Sequence, residues 1–138
     1  MQSTLNPYLN FRDNAREAME FYKTVFGGKL EMQTFKEYHV SQDPSEDNKI
    51  MHAMLTADNG IVFMASDTQN SIEYRTGTNM SMSLSGDNEI ELRGYYEKLS
   101  AGGTIEMPLE KAPWGDMFGM FTDKFGVSWL VNISGQKE

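Results

Sequence analysis

Reactive side chains are few in this sequence, and their scarcity narrows the chemistry. There are two histidines and no cysteine. Without cysteine there is no disulfide framework, no Cys-ligated zinc centre and no thiol nucleophile. His39 stands beside an acidic loop and reads as solvated. His52 sits in the apolar run IMHAML. There it is either a general base or hydrogen-bonding anchor for a ligand, or a structural histidine satisfied between two strands. Trp114, Gly115 and Asp116 follow Pro113. A tryptophan in such a loop can lid a pocket while the aspartate accepts a ligand hydrogen bond; alternatively the trio is a turn whose aspartate bonds its own backbone. Ser81, Ser83 and Ser85 alternate with Met80, Met82 and Leu84, but no histidine and aspartate can be assigned to them as a triad, which argues against a serine nucleophile. Asp43 to Asp47 lacks the glycine turn and distal glutamate of a calcium loop and reads as a solvated tip.

These groups need a scaffold, and the chain is long enough to build one. Its 138 residues fit a single domain, and that length buries enough surface to fold without a disulfide or metal. A net charge of −8 argues against a nucleic-acid partner, which favours a basic face. No apolar run is long enough to span a membrane. The start, MQSTLNPYLNF, lacks the basic-then-apolar layout of a signal peptide, so a cytoplasmic protein is expected.

The sequence repeats itself. DNAREAMEFYKTVFGG (Asp13 to Gly28) aligns with DNEIELRGYYEKLSAG (Asp87 to Gly102) at a constant offset of 74. MHAMLTADNGIVFM (Met51 to Met64) aligns with MFGMFTDKFGVSWL (Met117 to Leu130) at an offset of 66. The difference is absorbed by an extra polar loop, Ser41 to Lys49, in the first half. A repeat of this kind means two copies of one supersecondary unit.

Each copy reads alike. Asn14 with Glu17, and Asn88 with Glu91, have the spacing of a capping box. Apolar residues then recur at helical spacing: Ala15, Ala18, Met19, Tyr22, Val25 and Phe26 in one copy, Leu92, Tyr95, Tyr96 and Leu99 in the other. Glycine pairs, Gly27-Gly28 and Gly102-Gly103, end both helices, predicted over 14–26 and 88–100. Strands are predicted near 4–11, 29–38, 50–57, 60–66, 79–85, 104–109, 117–122 and 127–133. The result is an α+β chain of two tandem βαβββ modules, about 4–66 and 79–133, with a polar linker over 67–78. One helix covers only one face of its sheet, so the other face must be buried elsewhere or enclose something. Two such modules facing each other would create a cleft. The residues expected there are His52, Met54, Phe63, Ser81, Ser83, Phe118, Met120 and Trp129, with Trp114 at its rim, forming either a second core or a ligand pocket. Eleven methionines suit either reading.

PYLNF, NAREAMEFYKTVFGG, IMHAML and WGDMFGMFTDKFGVSW together resemble the vicinal oxygen chelate superfamily, and within it the PhnB-like group. The resemblance runs from about Leu5 to Ile133. It implies a glyoxalase-like fold, in which paired βαβββ modules form a U-shaped, mixed sheet around a cleft. It also implies a homodimer, side by side or with modules exchanged between chains. The superfamily's enzymes hold a divalent metal with one ligand from the first and one from the last strand of each module. The matching positions are Asn6 or Pro7, Met64, Ser81 and Leu130. Neither Met64 nor Leu130 is a hard-metal ligand, so no metal and no cofactor are expected. Some proteins of this kind carry the label of a demethylubiquinone methyltransferase. FGGKL and SAGGT follow helices rather than a first strand, so they read as helix stops and lend no support to that chemistry. The resemblance therefore points to a metal-independent module binding a small, partly aromatic or amphipathic molecule, as bleomycin-resistance proteins do. The alternatives are a lyase, isomerase or dioxygenase whose ligands fall elsewhere, or a dimer with a filled cleft.

Overall fold

The computed structural model describes residues 3–39 and 41–135. It divides into two units, Met1–Arg75 and Thr76–Glu138, each with its own sheet and core. In the first unit the chain runs β1 (Tyr8–Phe11), α1 (Ala15–Phe26), β2 (Lys29–Thr34), α2 (Phe35–Tyr38), β3 (Ile50–Thr56) and β4 (Val62–Asp67). The sheet order is β1-β4-β3-β2, with β1 parallel to β4 and the other pairs antiparallel. The apolar stripe of α1 lies on one sheet face. Ala15, Ala18, Met19 and Tyr22 are fully buried there with Ala53, Leu55, Phe63 and Ala65. Tyr22 and Phe26 meet the Phe63 ring edge-on at 5.4 and 5.9 Å between centroids.

The second unit repeats the order: β5 (Met82–Gly86), α3 (Glu89–Ser100), β6 (Thr104–Lys111), β7 (Met117–Thr122) and β8 (Ser128–Ile133). Its sheet runs β5-β8-β7-β6, again with the first and last strands parallel. Leu92 and Leu99 of α3 are buried, as are Leu84, Phe121, Trp129 and Val131 of the sheet. The α+β class and the tandem βαβββ arrangement are thus those expected.

Local differences from the expected elements have physical reasons. The predicted strand 29–38 stops at Thr34, where the register slips and the Thr34 side chain caps a short helix by accepting from the Glu37 amide at 3.2 Å. The strand expected over 79–85 starts at Met82, leaving Met80 81% exposed and Ser81 outside the sheet. The β4 strand extends to Asp67, inside the expected linker. The capping box forms in the second unit, where Asn88 Oδ1 accepts from the Glu91 amide at 3.1 Å. In the first unit Asn14 makes no such bond. Asp67 replaces it: its Oδ1 accepts from the Ala15 amide at 3.0 Å and its Oδ2 from the Ile50 amide at 2.9 Å. A buried carboxylate at the end of β4 therefore anchors both the start of the helix and the start of β3.

The repeat changes register on both sides of the helix, the first strands being offset by 75, with Phe11 opposite Asp67 and Gly86 opposite Ile133. The helices keep the offset of 74, since Ala15 corresponds to Glu89 and Phe26 to Ser100. The following strands are offset by 75: Lys29 pairs with Thr56 and Thr104 with Thr122. The turn after α3 has one extra residue, so Gly28 corresponds to Gly103 rather than Gly102. Both lie where any Cβ would collide with a strand carbonyl, that of Thr56 for Gly28 and that of Thr122 for Gly103.

Candidate functional site

Each sheet has one face that its helix leaves uncovered, and strand alternation decides which residues stand on it. On the first sheet a row crosses all four strands through Tyr8, Met64, Met54 and Glu31, which are register partners in turn. Beside it lie Asn10 and Ser66, and Gln33 and His52, again as partners. On the second sheet the corresponding rows are Ser83, Leu130, Met120 and Met107, then Ser85, Asn132, Phe118 and Glu110. Each uncovered face therefore combines thioether and aromatic surface with a few amide, hydroxyl and carboxylate groups. None of these residues is buried.

Of the candidates, His52 and Met54 share the uncovered face of the first sheet, and Ser83, Phe118 and Met120 that of the second. Phe63 and Trp129 are corrections: both are on the opposite, helix-covered faces, 1% and 2% exposed. Trp129 stacks on Phe121 at 6.4 Å with ring planes 8° apart, and its indole donates to buried Asp123. One residue of strand alternation separates core from face, so these aromatics are matched to each other and absent from the surface. Ser81 is exposed in the chain before β5. Trp114 is 62% exposed in a turn, its ring edge-on to Phe118 at 5.6 Å.

Two polar groupings give the faces their chemistry. Tyr8 and His52 approach at 3.4 Å between the phenol oxygen and Nδ1, with ring centroids 5.9 Å apart. The pair can present both a donor and an acceptor to a ligand, according to the imidazole tautomer. Asp116 is committed to the fold: its Oδ2 accepts from the Asn132 amide at 3.0 Å and its Oδ1 from the Gly135 amide at 2.8 Å. The Asn132 bond first, and the Gly135 bond second, hold the Asp116 carboxyl below its ordinary range. Asp116 thus steadies the Trp114 turn against β8.

The strand pairing also moves the positions implied for a metal. Met64 pairs with Tyr8, not Asn6 or Pro7, and Leu130 pairs with Ser83, not Ser81. Within the first unit the positions are a phenol and a thioether, and within the second a hydroxyl and a hydrocarbon. Neither pair is a donor set for a hard divalent cation. Among the described residues no group of three His, Cys, Asp or Glu side chains is placed to hold a metal ion. The residues at these positions do not fit the metal that the resemblance implies.

Sequence reasoning missed Tyr8 because the spacing from the first strand to the helix differs by one residue between the halves, seven from Tyr8 to Ala15 and six from Ser83 to Glu89, so no fixed offset located it. It also missed a groove in the first unit, lined by Asn10, Phe35, Met51, residues Ser66 to Gln69 and Ile72 to Arg75. No described helix is long and apolar enough to cross a membrane.

Comparison with known proteins agrees with this architecture. The chain is 29% identical to Protein YjdN of Escherichia coli K12, over 96% of this chain and 97% of that protein. It is similar to the crystal structure of protein PA1353 from Pseudomonas aeruginosa, with 37% identity, a TM-score of 0.82, and coverage of 98% of this chain and 100% of that one. A protein from Bacillus cereus, described as a putative 3-demethylubiquinone-9 3-methyltransferase, PhnB protein, shares 28% identity at a TM-score of 0.77, covering 96% and 100%. At the level of fold alone, the chain resembles a glyoxylase/bleomycin resistance protein/dioxygenase domain from Frankia sp. EAN1pec, with 14% identity and a TM-score of 0.65 over 100% of this chain and 96% of that one. The family model described as 3-demethylubiquinone-9 3-methyltransferase matches residues 3–132. The chain therefore belongs to that PhnB-like family, and it shares the glyoxalase-like fold.

Proposed function

We propose that this protein binds a small, partly aromatic or amphipathic molecule against its uncovered sheet faces, without a resident metal and as a homodimer. The observation that carries the reading is the Tyr8–His52 pair beside Met54 and Met64 on one open face. An adaptable apolar floor with a few oriented polar groups is the usual composition of a ligand site. Met64 and Leu130, at the positions where the superfamily's enzymes place ligands, support the absence of metal. The family's description names methyl transfer, but the glycine pairs of this chain end helices. The segments that lead from the first strand into the helix, Arg12-Asp13-Asn14 and Asp87-Asn88, contain no glycine-rich loop to cradle a nucleotide cofactor. The dimer is the assembly that the family resemblance implies.

The test is a thermal-shift screen with small aromatic cations and antibiotics, followed by calorimetry on any hit. Binding is expected, and His52→Ala is expected to weaken it about fivefold, the ratio for one lost hydrogen bond. Unchanged affinity in His52→Ala overturns the assignment of that face. A bound divalent metal in protein purified without chelator, together with a metal-dependent thermal shift, overturns metal independence. A monomer mass by light scattering overturns the dimer.

A further inference from the structure

The segment after β4, which composition assigns to a linker, forms one wall of a groove of about 480 Å³ in the first unit. That volume is in the range of sites for small organic molecules. The wall is held rigidly. The Arg12 Nη2 donates to the Gln69 carbonyl at 3.2 Å and to the Ile72 carbonyl, and the guanidinium stands over the Tyr74 ring at 5.7 Å from its centroid. From the other side the Asn70 amide donates to Glu46 Oε2 at 2.6 Å. Arg12 Nε is buried with no hydrogen-bond partner, so this clamp is maintained at a cost.

The groove offers an uneven set of groups. Asn10, Ser66 and Gln69 line it, and their side chains make no hydrogen bond within the described residues. Two amides and a hydroxyl supply both donors and acceptors. Phe35, Met51 and Tyr74 supply the apolar surface. The charged groups are already committed. Asp67 accepts from two backbone amides, Glu73 is paired with Arg75 at 2.8 Å, and Arg12 is behind the wall rather than in the lining. An ion entering this groove would lose hydration without gaining a free counter-charge.

We propose that this groove binds an uncharged, planar molecule carrying both a donor and an acceptor, of the amide or lactam class. The proposal rests on the reading that the protein binds a small molecule, and it names a groove bordering the uncovered face of the first sheet, through Asn10 and Ser66, and a ligand class for it. The probes are three molecules of one shape: benzamide, benzamidinium and benzoate, titrated into ¹⁵N-labelled protein and followed by NMR. Benzamide is expected to shift the side-chain amides of Asn10 and Gln69 and the backbone amide of Ser66, binding about fivefold or more tighter than either ion. Gln69→Ala and Ser66→Ala should each weaken benzamide about threefold or more while leaving the thermal transition in place. Using two variants keeps the test decisive if one of them disturbs folding. Equal or tighter binding of benzamidinium or benzoate overturns the proposal, as does the absence of any shift at these residues. Shifts confined to Tyr8, His52 and Met54 overturn the groove while leaving the proposed function intact. Benzamide shifts at Asn10 and Gln69, with affinity unchanged in His52→Ala for every compound bound, keep the groove and overturn the Tyr8–His52 pair as the carrier of the proposed function.

Discussion

Asp123 Oδ2 accepts a hydrogen bond from the Trp129 indole at 2.8 Å, in the buried core of the second unit. The other carboxylate oxygen accepts from the Phe125 and Val127 amides at 2.8 and 3.1 Å, shaping the turn between β7 and β8. At the matching positions the first unit has Ala57 and Phe63, both buried. A phenyl ring has no N–H to satisfy, and alanine offers no acceptor. The two halves have thus exchanged a polar pair for an apolar one without changing the turn, whose backbone bonds are the same: Ala57 to Ile61 in one, Asp123 to Val127 in the other.

That exchange predicts a coupling. Asp123→Ala strands a buried indole N–H and should cost about 2–3 kcal/mol. Trp129→Phe should cost less in the Asp123→Ala background than in the natural chain. A double-mutant cycle by urea unfolding should give a coupling of about 1 kcal/mol or more. Additive costs would contradict the pairing.

The two helix starts should respond differently to the same substitution. Asn88→Ala should destabilise by about 1 kcal/mol, the usual loss of an N-cap. Asn14→Ala should change little, because Asp67 caps that helix. Asp67→Ala should cost about 3 kcal/mol, since two buried backbone amides lose a carboxylate partner at once. Chemical denaturation of the three variants measures the order directly.

The corrected repeat register predicts which glycines resist change. Gly28→Ala and Gly103→Ala should each cost about 3 kcal/mol or more, because the added methyl meets backbone, which cannot move aside cheaply. Gly102→Ala should cost only about 1 kcal/mol: its φ of 79° is unfavourable for alanine, but only the Lys124 side chain is near. A larger loss at Gly102 than at Gly103 would restore the offset of 74.

Acid should loosen the loop that backs the groove wall. Hydrogen bonds from Ser45, side chain first and then backbone, hold the Asp43 carboxyl below its ordinary range. The Ser41 hydroxyl first, and the Asn70 amide second, do the same for Glu46. A carboxyl whose folded pKa is depressed stabilises the fold above its unfolded pKa and loses that contribution as pH falls through the folded value. The contacts to Asn70 should therefore be intact at neutral pH and weaken progressively below about pH 4. Amide exchange of Asn70 measured against pH checks this, and Glu46→Gln should flatten the response.

The sequence alone determined the repeat, the two helices and the pairing of strands with helices, because these rest on local periodicity and on glycine and asparagine chemistry at chain turns. It also placed His52, Met54, Ser83, Phe118 and Met120 on uncovered faces. It put Phe63 and Trp129 there too, because alternation gives two faces without saying which one the helix covers. That choice is made by packing: the large aromatics go under α1 and α3, where Tyr22, Phe26 and Asp123 receive them. Strand register was likewise a tertiary matter. Only the parallel pairing of β1 with β4 and β5 with β8 put Tyr8 beside Met64 and Ser83 beside Leu130. The wall made by residues 68–75 depended on a side chain far away in sequence. A polar, turn-rich segment reads as linker until a guanidinium from the end of β1 reaches its carbonyls, and no local pattern encodes that contact.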